Sequence, residues 1–269
     1  MKTLRNHVLI YDHQCPMCTL YSSGFINSGM MDAKGRKSFA DLSYNDIALL
    51  DYKRAQNEIA LVNTENKEVI YGLDSFIFII GNAFPLFSKV IRLPLIYWFS
   101  KKLYKFVSLN RKQIAPTKVE QSVCVPDFNL KYRLFYVLFV ALFSAWILTN
   151  YSRNLVEFLP MKNGVSVEFL ICFGQIAWQT VLLKKYLGKR YWDYIGNMMT
   201  VSLIGTLLLI PALAIPSFAS FHLVYFLLVV LVMFVEHLRR TKMLGLNIIP
   251  SISWMVYRSL VLVALIYMN

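Results

Sequence analysis

The chain has 269 residues, 57% of them hydrophobic and only 16% charged, with a formal net charge of +13 and a mean hydropathy of +0.49. Ordinary globular chains are about 45–50% apolar and about 25% charged, so this composition speaks against a wholly soluble protein, a disordered chain and a fibrous repeat. The charge is also unevenly placed: residues 1–130 carry 16 Lys/Arg and 11 Asp/Glu, whereas residues 131–269 carry 12 and 4. The first half has the charge density of a small soluble domain. The second half alternates apolar stretches with basic clusters, as a polytopic membrane protein does. Those clusters sit at the ends of apolar segments, where topology and anionic lipid explain them, and no nucleic-acid-binding motif accompanies them. No nucleic-acid partner is expected.

The first residues, Met1-Lys2-Thr3-Leu4-Arg5-Asn6, are basic, but the apolar run His7–Tyr11 is too short for a signal-peptide core and ends at Asp12. The N-terminal domain is therefore expected to stay on the side where it is made. His-Val-Leu-Ile-Tyr-Asp, residues 7–12, reads as a buried strand. Asp12-His13-Gln14 reads as a loop. Cys15-Pro16-Met17-Cys18 follows and opens a helix with Leu20, Tyr21, Phe25 and Ile26 as apolar positions. Pro16 suits the first helical position, where no N–H is needed, and this puts Cys15 at the N-cap and Cys18 one turn inside. Residues 30–37 read as a turn region, 38–40 as a second strand, and 46–54 as a short helix. Residues 58–62 and 68–71 form a hairpin about Asn63-Thr64-Glu65-Asn66. Gly72 precedes a helix with Phe76, Ile77 and Ile80, and Pro85 and Pro94 punctuate two further helical stretches ending near Ser108. The order β-α-β-α-β-β-α is a thioredoxin-like layout with a helical extension.

A Cys-x-x-Cys pair at a helix N-terminus puts both sulfurs on one side, able to close a small disulfide ring. The unpaired N–H groups and positive helix end favour a thiolate on the first sulfur. Cys15 is then the nucleophile, and the more buried Cys18 resolves the mixed disulfide. A strand running into the motif is the context that separates a redox site from a stray pair. Three other readings compete. Zinc needs about four ligands, and here His7 or His13 could only supply a third. A copper-handling site is a second alternative. A structural disulfide is a third, disfavoured in a reducing cytoplasm. His13, if protonated, would help hold the Cys15 thiolate. Cys124 and Cys172 read as small buried residues, or, for Cys124, as a thiol that exchanges with Cys15.

After a linker at residues 116–130, with Pro116 and Pro126, residues 131–269 read as a transmembrane helical domain of four to five spans. Four apolar segments cover about 134–148, 165–183, 195–215 and 218–235; a fifth candidate, 248–268, contains Arg258. Lys184, Lys185, Lys189 and Arg190 lie between the second and third segments, and Arg239, Arg240 and Lys242 between the fourth and fifth. The loop at 211–220 has no charge, and that at 150–164 has only Arg153, Glu157 and Lys162. The positive-inside rule places both basic loops, and the N-terminal domain with them, in the cytoplasm. Arg258 reads either as a snorkelling charge or as a group facing the bundle interior. Glu168 and Glu236 read as interfacial, and Gln175 and Asn197 as hydrogen-bonding links between helices.

The stretch Val8-Leu9-Ile10-Tyr11-Asp12-His13-Gln14-Cys15-Pro16-Met17-Cys18 resembles the DCC family of thiol-disulfide oxidoreductases, whose domains run a strand into Asp-x-x-Cys-x-x-Cys. The hairpin at 60–71, Gly72 before a helix, and Tyr104 to Asn110-Arg111 near the domain end fit as well, so the resemblance covers about residues 6–115. It implies a thioredoxin-like fold over residues 1–115 and protein-disulfide reductase activity, with Cys15 and Cys18 as the redox pair and Asp12 before them. His13 stands where the family usually has Gly. No proline precedes Glu58-Ile59, where thioredoxins place one that helps receive the substrate chain. Asp12 reads either as a cap on the helix or turn, or as proton acceptor for Cys18.

The expected protein is thus a multi-pass membrane thiol-disulfide oxidoreductase with no cofactor or metal. It acts on a protein disulfide or a membrane redox partner, with a thioredoxin- or glutathione-type reductant and the lipid bilayer as further partners. The alternatives are a membrane carrier or channel gated by a redox-sensing head, and a Cys-x-x-Cys metal-handling module.

Overall fold

The computed structural model describes residues 2–117, 124–158, 164–215 and 217–267. Residues 118–123 of the expected linker, Lys162, residue 216 of the 211–220 loop and Met268 lie outside the described residues. The chain forms two compact units, Met1–Tyr132 and Arg133–Asn269.

The first unit, the head, is built on a four-stranded sheet of order β2-β1-β3-β4, comprising β1 His7–Tyr11, β2 Arg36–Ser38, β3 Ala60–Asn63 and β4 Val69–Tyr71. β1 runs parallel to β2, with Leu9 opposite Arg36, and antiparallel to β3, with Ile10 opposite Ala60. The helices are α1 Pro16–Asn27, α2 Tyr44–Leu49, α3 Tyr52–Asn57, α4 Leu73–Ala83, α5 Pro85–Ile91 and α6 Pro94–Ile114. This is a thioredoxin-like fold. Successive side chains of a strand point to opposite faces, and the core divides accordingly. Leu9 and Leu61 pack with Phe25 and Ile79 on one side, while Ile10 and Ala60 pack with Phe39, Leu50, Ala55 and Cys124 on the other.

Three elements differ from the sequence reading for local reasons. The second strand lies at Arg36–Ser38 rather than at 38–40, because the Ser38 hydroxyl accepts the Ala40 N–H and starts a 3-10 turn over Phe39–Asp41. The single helix read at 46–54 is two. Ser43 and Asp46 form a capping box on α2, and Asp51 caps α3 by accepting the Arg54 N–H. α6 runs past Ser108 to Ile114.

The second unit is a helical bundle containing α8 Val165–Leu187, α9 Tyr191–Leu213, α10 Ala219–Met243, α11 Ile249–Tyr267 and most of α7 Leu130–Ser152. Four helical runs are long and apolar enough to cross a membrane: Leu130–Leu155, Val165–Leu213, Ala219–Met243 and Ile249–Tyr267. The second, with 49 residues, would be about 74 Å long if straight, over twice the ~30 Å hydrocarbon core. It consists of α8 and α9, joined at Gly188, whose φ of +52° suits a residue without Cβ. Tyr136 bonds Thr200 at 2.7 Å and Thr206 bonds Ser144 at 2.8 Å, so α7 and α9 are parallel. Tyr194 meets His237, and Tyr225 donates to Leu208 O, so α9 and α10 are antiparallel. Trp178–Ser253 and Tyr257–Ile171 O make α8 and α11 antiparallel. This alternation brings the basic ends together: Arg133 donates to Trp192 O at 2.7 Å and Arg190 to Leu244 O at 3.1 Å. Glu236 is not simply solvated; it pairs with Arg239 and Arg240 at 2.6 and 2.7 Å. Glu168 is buried, and Asn197 accepts from Arg240 at 2.9 Å. The Arg258 guanidinium lies 5.4 Å from the Trp254 ring centroid.

Candidate functional site

β1 delivers the chain into a tight turn at Asp12–Gln14. The Asp12 carboxylate accepts the Gln14 N–H at 3.1 Å, and its carbonyl accepts the Cys15 N–H at 3.2 Å. Asp12 therefore shapes the turn; among the described residues no side chain caps α1. Cys15 is the N-cap residue in extended conformation, Pro16 opens the helix, and the Cys15 carbonyl accepts the Thr19 N–H at 3.0 Å. The His13 ring bonds the Ser38 hydroxyl at 2.8 Å and so is tied to β2.

Both thiols are free and buried, each only 3% exposed. By exposure to solvent, the expectation that Cys18 is the more buried of the two is not met. A hydrogen bond between the two sulfurs sets their acidities in opposite directions. The Cys18 thiol supports the Cys15 thiolate, burial opposes it, and the Cys18 N–H and Arg111 support it further, so the Cys15 pKa falls to about 7. The same hydrogen bond, followed by burial, pushes Cys18 well above the ordinary thiol range. Tyr21, within hydrogen-bonding reach of Cys18, is raised by burial and then by Cys18.

The cation of the site is Arg111, which comes from the far end of α6 and is 5% exposed. Its guanidinium donates to Gln56 O at 2.9 Å, to Asn57 O at 3.4 Å and to Cys124 Sγ at 3.2 Å, and stands 3.8 Å from the Asp12 carboxylate. Burial disfavours its charge, but Cys124, Cys18, Cys15 and Asp12 outweigh that, and its pKa lies above the ordinary value. Sequence reading does not give Arg111 this role; its only signal is the Asn110-Arg111 pair at the domain end. Cys124, whose pKa burial raises, donates to Gln56 O at 3.5 Å. The structure thus brings Cys15, Cys18, Asp12, Arg111 and Cys124 into one cluster. Cys172 lies in α8, in the second unit. Among the described residues, no three His, Cys, Asp or Glu side chains gather in a way that could hold a metal ion.

The segment before β3 is occupied by the protein itself. Arg111 and Ser108 take the Asn57 carbonyl, Arg111 takes that of Gln56, and the Tyr104 hydroxyl accepts the Ile59 N–H at 3.2 Å. A cleft of about 450 Å³ nearby is lined by Asn57, Glu58, Tyr104, Ser108, Asp127 and Phe128 among others, and by neither Cys15 nor Cys18.

The fold is that of a thioredoxin-like head with a Cys-x-x-Cys turn, followed in the chain by membrane-type helices. Residues 9–116 match the family model of the DCC1-like thiol-disulfide oxidoreductases, and the head is a domain of that family. No curated protein and no solved structure matches the chain.

Proposed function

We propose that the protein is a membrane-anchored dithiol oxidoreductase that reduces disulfides of proteins. What supports this reading is the pair of free thiols at the start of α1, Cys15 at the N-cap and Cys18 one turn inside, with the Cys15 pKa lowered by Cys18 and that of Cys18 raised by Cys15 and burial. The Cys15 thiolate attacks one sulfur of the substrate disulfide, forming a mixed disulfide and releasing the other sulfur as a thiolate. Cys18 then loses its proton and attacks Cys15 Sγ, which frees the second substrate thiol and leaves the head with a Cys15–Cys18 disulfide. Asp12, the buried carboxylate one turn before the pair, is the acceptor assigned to the Cys18 proton. A thioredoxin-type dithiol, or two glutathione-type thiols, then reduces the Cys15–Cys18 disulfide by two electrons, is itself oxidised to a disulfide, and restores the dithiol. Because both sulfurs are buried, the substrate must reach them through a local opening. The basic ends gathered on one side of the bundle support a cytoplasmic head.

The test uses full-length protein in vesicles with a model protein disulfide. Cys15→Ser abolishes turnover, and Cys18→Ser accumulates a mixed disulfide with substrate. Full activity in both variants ends the proposal.

One observation favours a second reading, in which the bundle passes a polar solute under control of the head. The buried face of α8 carries Glu168, Cys172, Gln175 and Gln179, and among the described residues neither glutamine amide finds a hydrogen-bond partner. Gln175→Leu/Gln179→Leu would then stop transport and leave disulfide turnover intact.

A further inference from the structure

The helical extension of the head is amphipathic and unpaired along much of its length. α5 and the first half of α6 expose Leu86, Val90, Leu95, Trp98, Phe99 and Leu103, with Leu95 78% and Phe99 60% exposed. From Phe84 to Lys105 the chain carries five cations, Lys89, Arg92, Lys101, Lys102 and Lys105, and no acid. The Lys101 ammonium sits 5.7 Å from the Tyr97 ring centroid and that of Lys102 6.0 Å from Trp98. Their stems therefore run beside aromatic rings while the charges stay exposed, as snorkelling side chains do.

The other half of α6 is tied to the first turn of α7. Asn110 Nδ2 donates to Tyr132 O at 3.3 Å, and Lys105 Nζ lies 5.9 Å from the Tyr132 ring centroid. Tyr132 belongs to the first turn of α7, where the first candidate span begins. The exposed apolar face and the start of that span are thus parts of one compact unit.

We propose that α5 and the N-terminal half of α6 form an in-plane anchor that lies in the boundary between headgroups and acyl chains of an anionic bilayer. Trp, Phe and Leu on one face with Lys and Arg beside them are the composition of interfacial helices. The cations face lipid phosphates, which attract basic side chains at an anionic surface. Protein–protein interfaces are instead depleted of Lys. Because α6 also carries Tyr104 and Arg111 into the redox site, the anchor ties the position of the site's cation to the membrane surface.

The test is photo-crosslinking of the full-length chain in vesicles of phosphatidylcholine and phosphatidylglycerol. Benzoylphenylalanine is placed at Leu95 or at Phe99. Val181, 82% exposed in α8, is the membrane control, and Tyr44, 87% exposed on α2, is the aqueous control. Phospholipid adducts at both Leu95 and Phe99, in yields comparable with Val181 and absent at Tyr44, support the anchor. Lipid adducts at Val181 without them at both test positions overturn it, as do protein adducts there, which would mean that a protein covers this face. The readout is independent of disulfide reduction.

Discussion

Replacing Cys18 with Ala removes the largest support of the Cys15 thiolate while leaving the helix start and Arg111 in place. A hydrogen bond to a charged group is worth about 1.5–3 kcal/mol, or about one to two pKa units. The Cys15 pKa should therefore climb from about 7 to about 8–9. At pH 7 the thiolate fraction then falls from about half to between about one and ten per cent, so alkylation slows about five- to fiftyfold. The assay is the pH dependence of iodoacetamide labelling of the reduced full-length protein, read at Cys15 by peptide mass spectrometry. Cys18→Ser keeps a hydroxyl donor and should give an intermediate pKa. The same acidity makes a stability statement. A thiol whose folded pKa is depressed stabilises the folded state above its unfolded value of 9.0, and that stability fades as pH falls through about 7. The reduced wild type should accordingly gain stability between pH 7 and 9, and Cys18→Ala should lose most of that gain. A Cys15 labelling pKa still near 7 in Cys18→Ala would refute the argument, because the acidity would then arise from the helix terminus and Arg111 alone.

Three further outcomes are expected. Arg111→Met leaves the Gln56 and Asn57 carbonyls and Cys124 without their shared donor. It should lower the stability of the head by about 3 kcal/mol, seen in denaturant unfolding, and raise the Cys15 labelling pKa less than Cys18→Ala does. Gly72 has φ +67°, and a Cβ there would lie 2.6 Å from a Glu58 carboxylate oxygen and 3.3 Å from the Tyr104 ring. Gly72→Ala should therefore cost about 1–2 kcal/mol, measured by the same unfolding, and disturb the Tyr104 contact with Ile59. Gly174 of α8 meets the Tyr257 hydroxyl of α11. Gly174→Leu should force the two helices apart and lower the thermal midpoint of the bundle in detergent, with the Cys15 labelling pKa unchanged.

Local chemistry explains what could be read without coordinates. The strand into Cys15-Pro16-Met17-Cys18, the hairpin at Asn63–Asn66 and the helix after Gly72 follow from nearest neighbours in the chain, and the structure has each in place. Cysteine at the N-cap is likewise a local consequence of Pro16. The boundary of β2 and the break between α2 and α3 depend on which side chain of several takes a given N–H. Ser38 and Asp51 do so, and composition alone does not single them out.

What the sequence determined by itself is the division into a charged head and apolar helices, and the type of chemistry that two thiols three residues apart can perform. Both follow from periodicity and spacing, which are properties of adjacent residues. Only the tertiary structure decided what surrounds the sulfurs. Arg111 is 93 residues beyond Cys18 in the chain, yet its charge acts on Cys18, whereas His13, two residues from Cys15, turns away to Ser38. Burial closes over Cys15 and Cys18 alike. Electrostatic interaction depends on distance and solvent exclusion in three dimensions, and neither is encoded in separation along the chain.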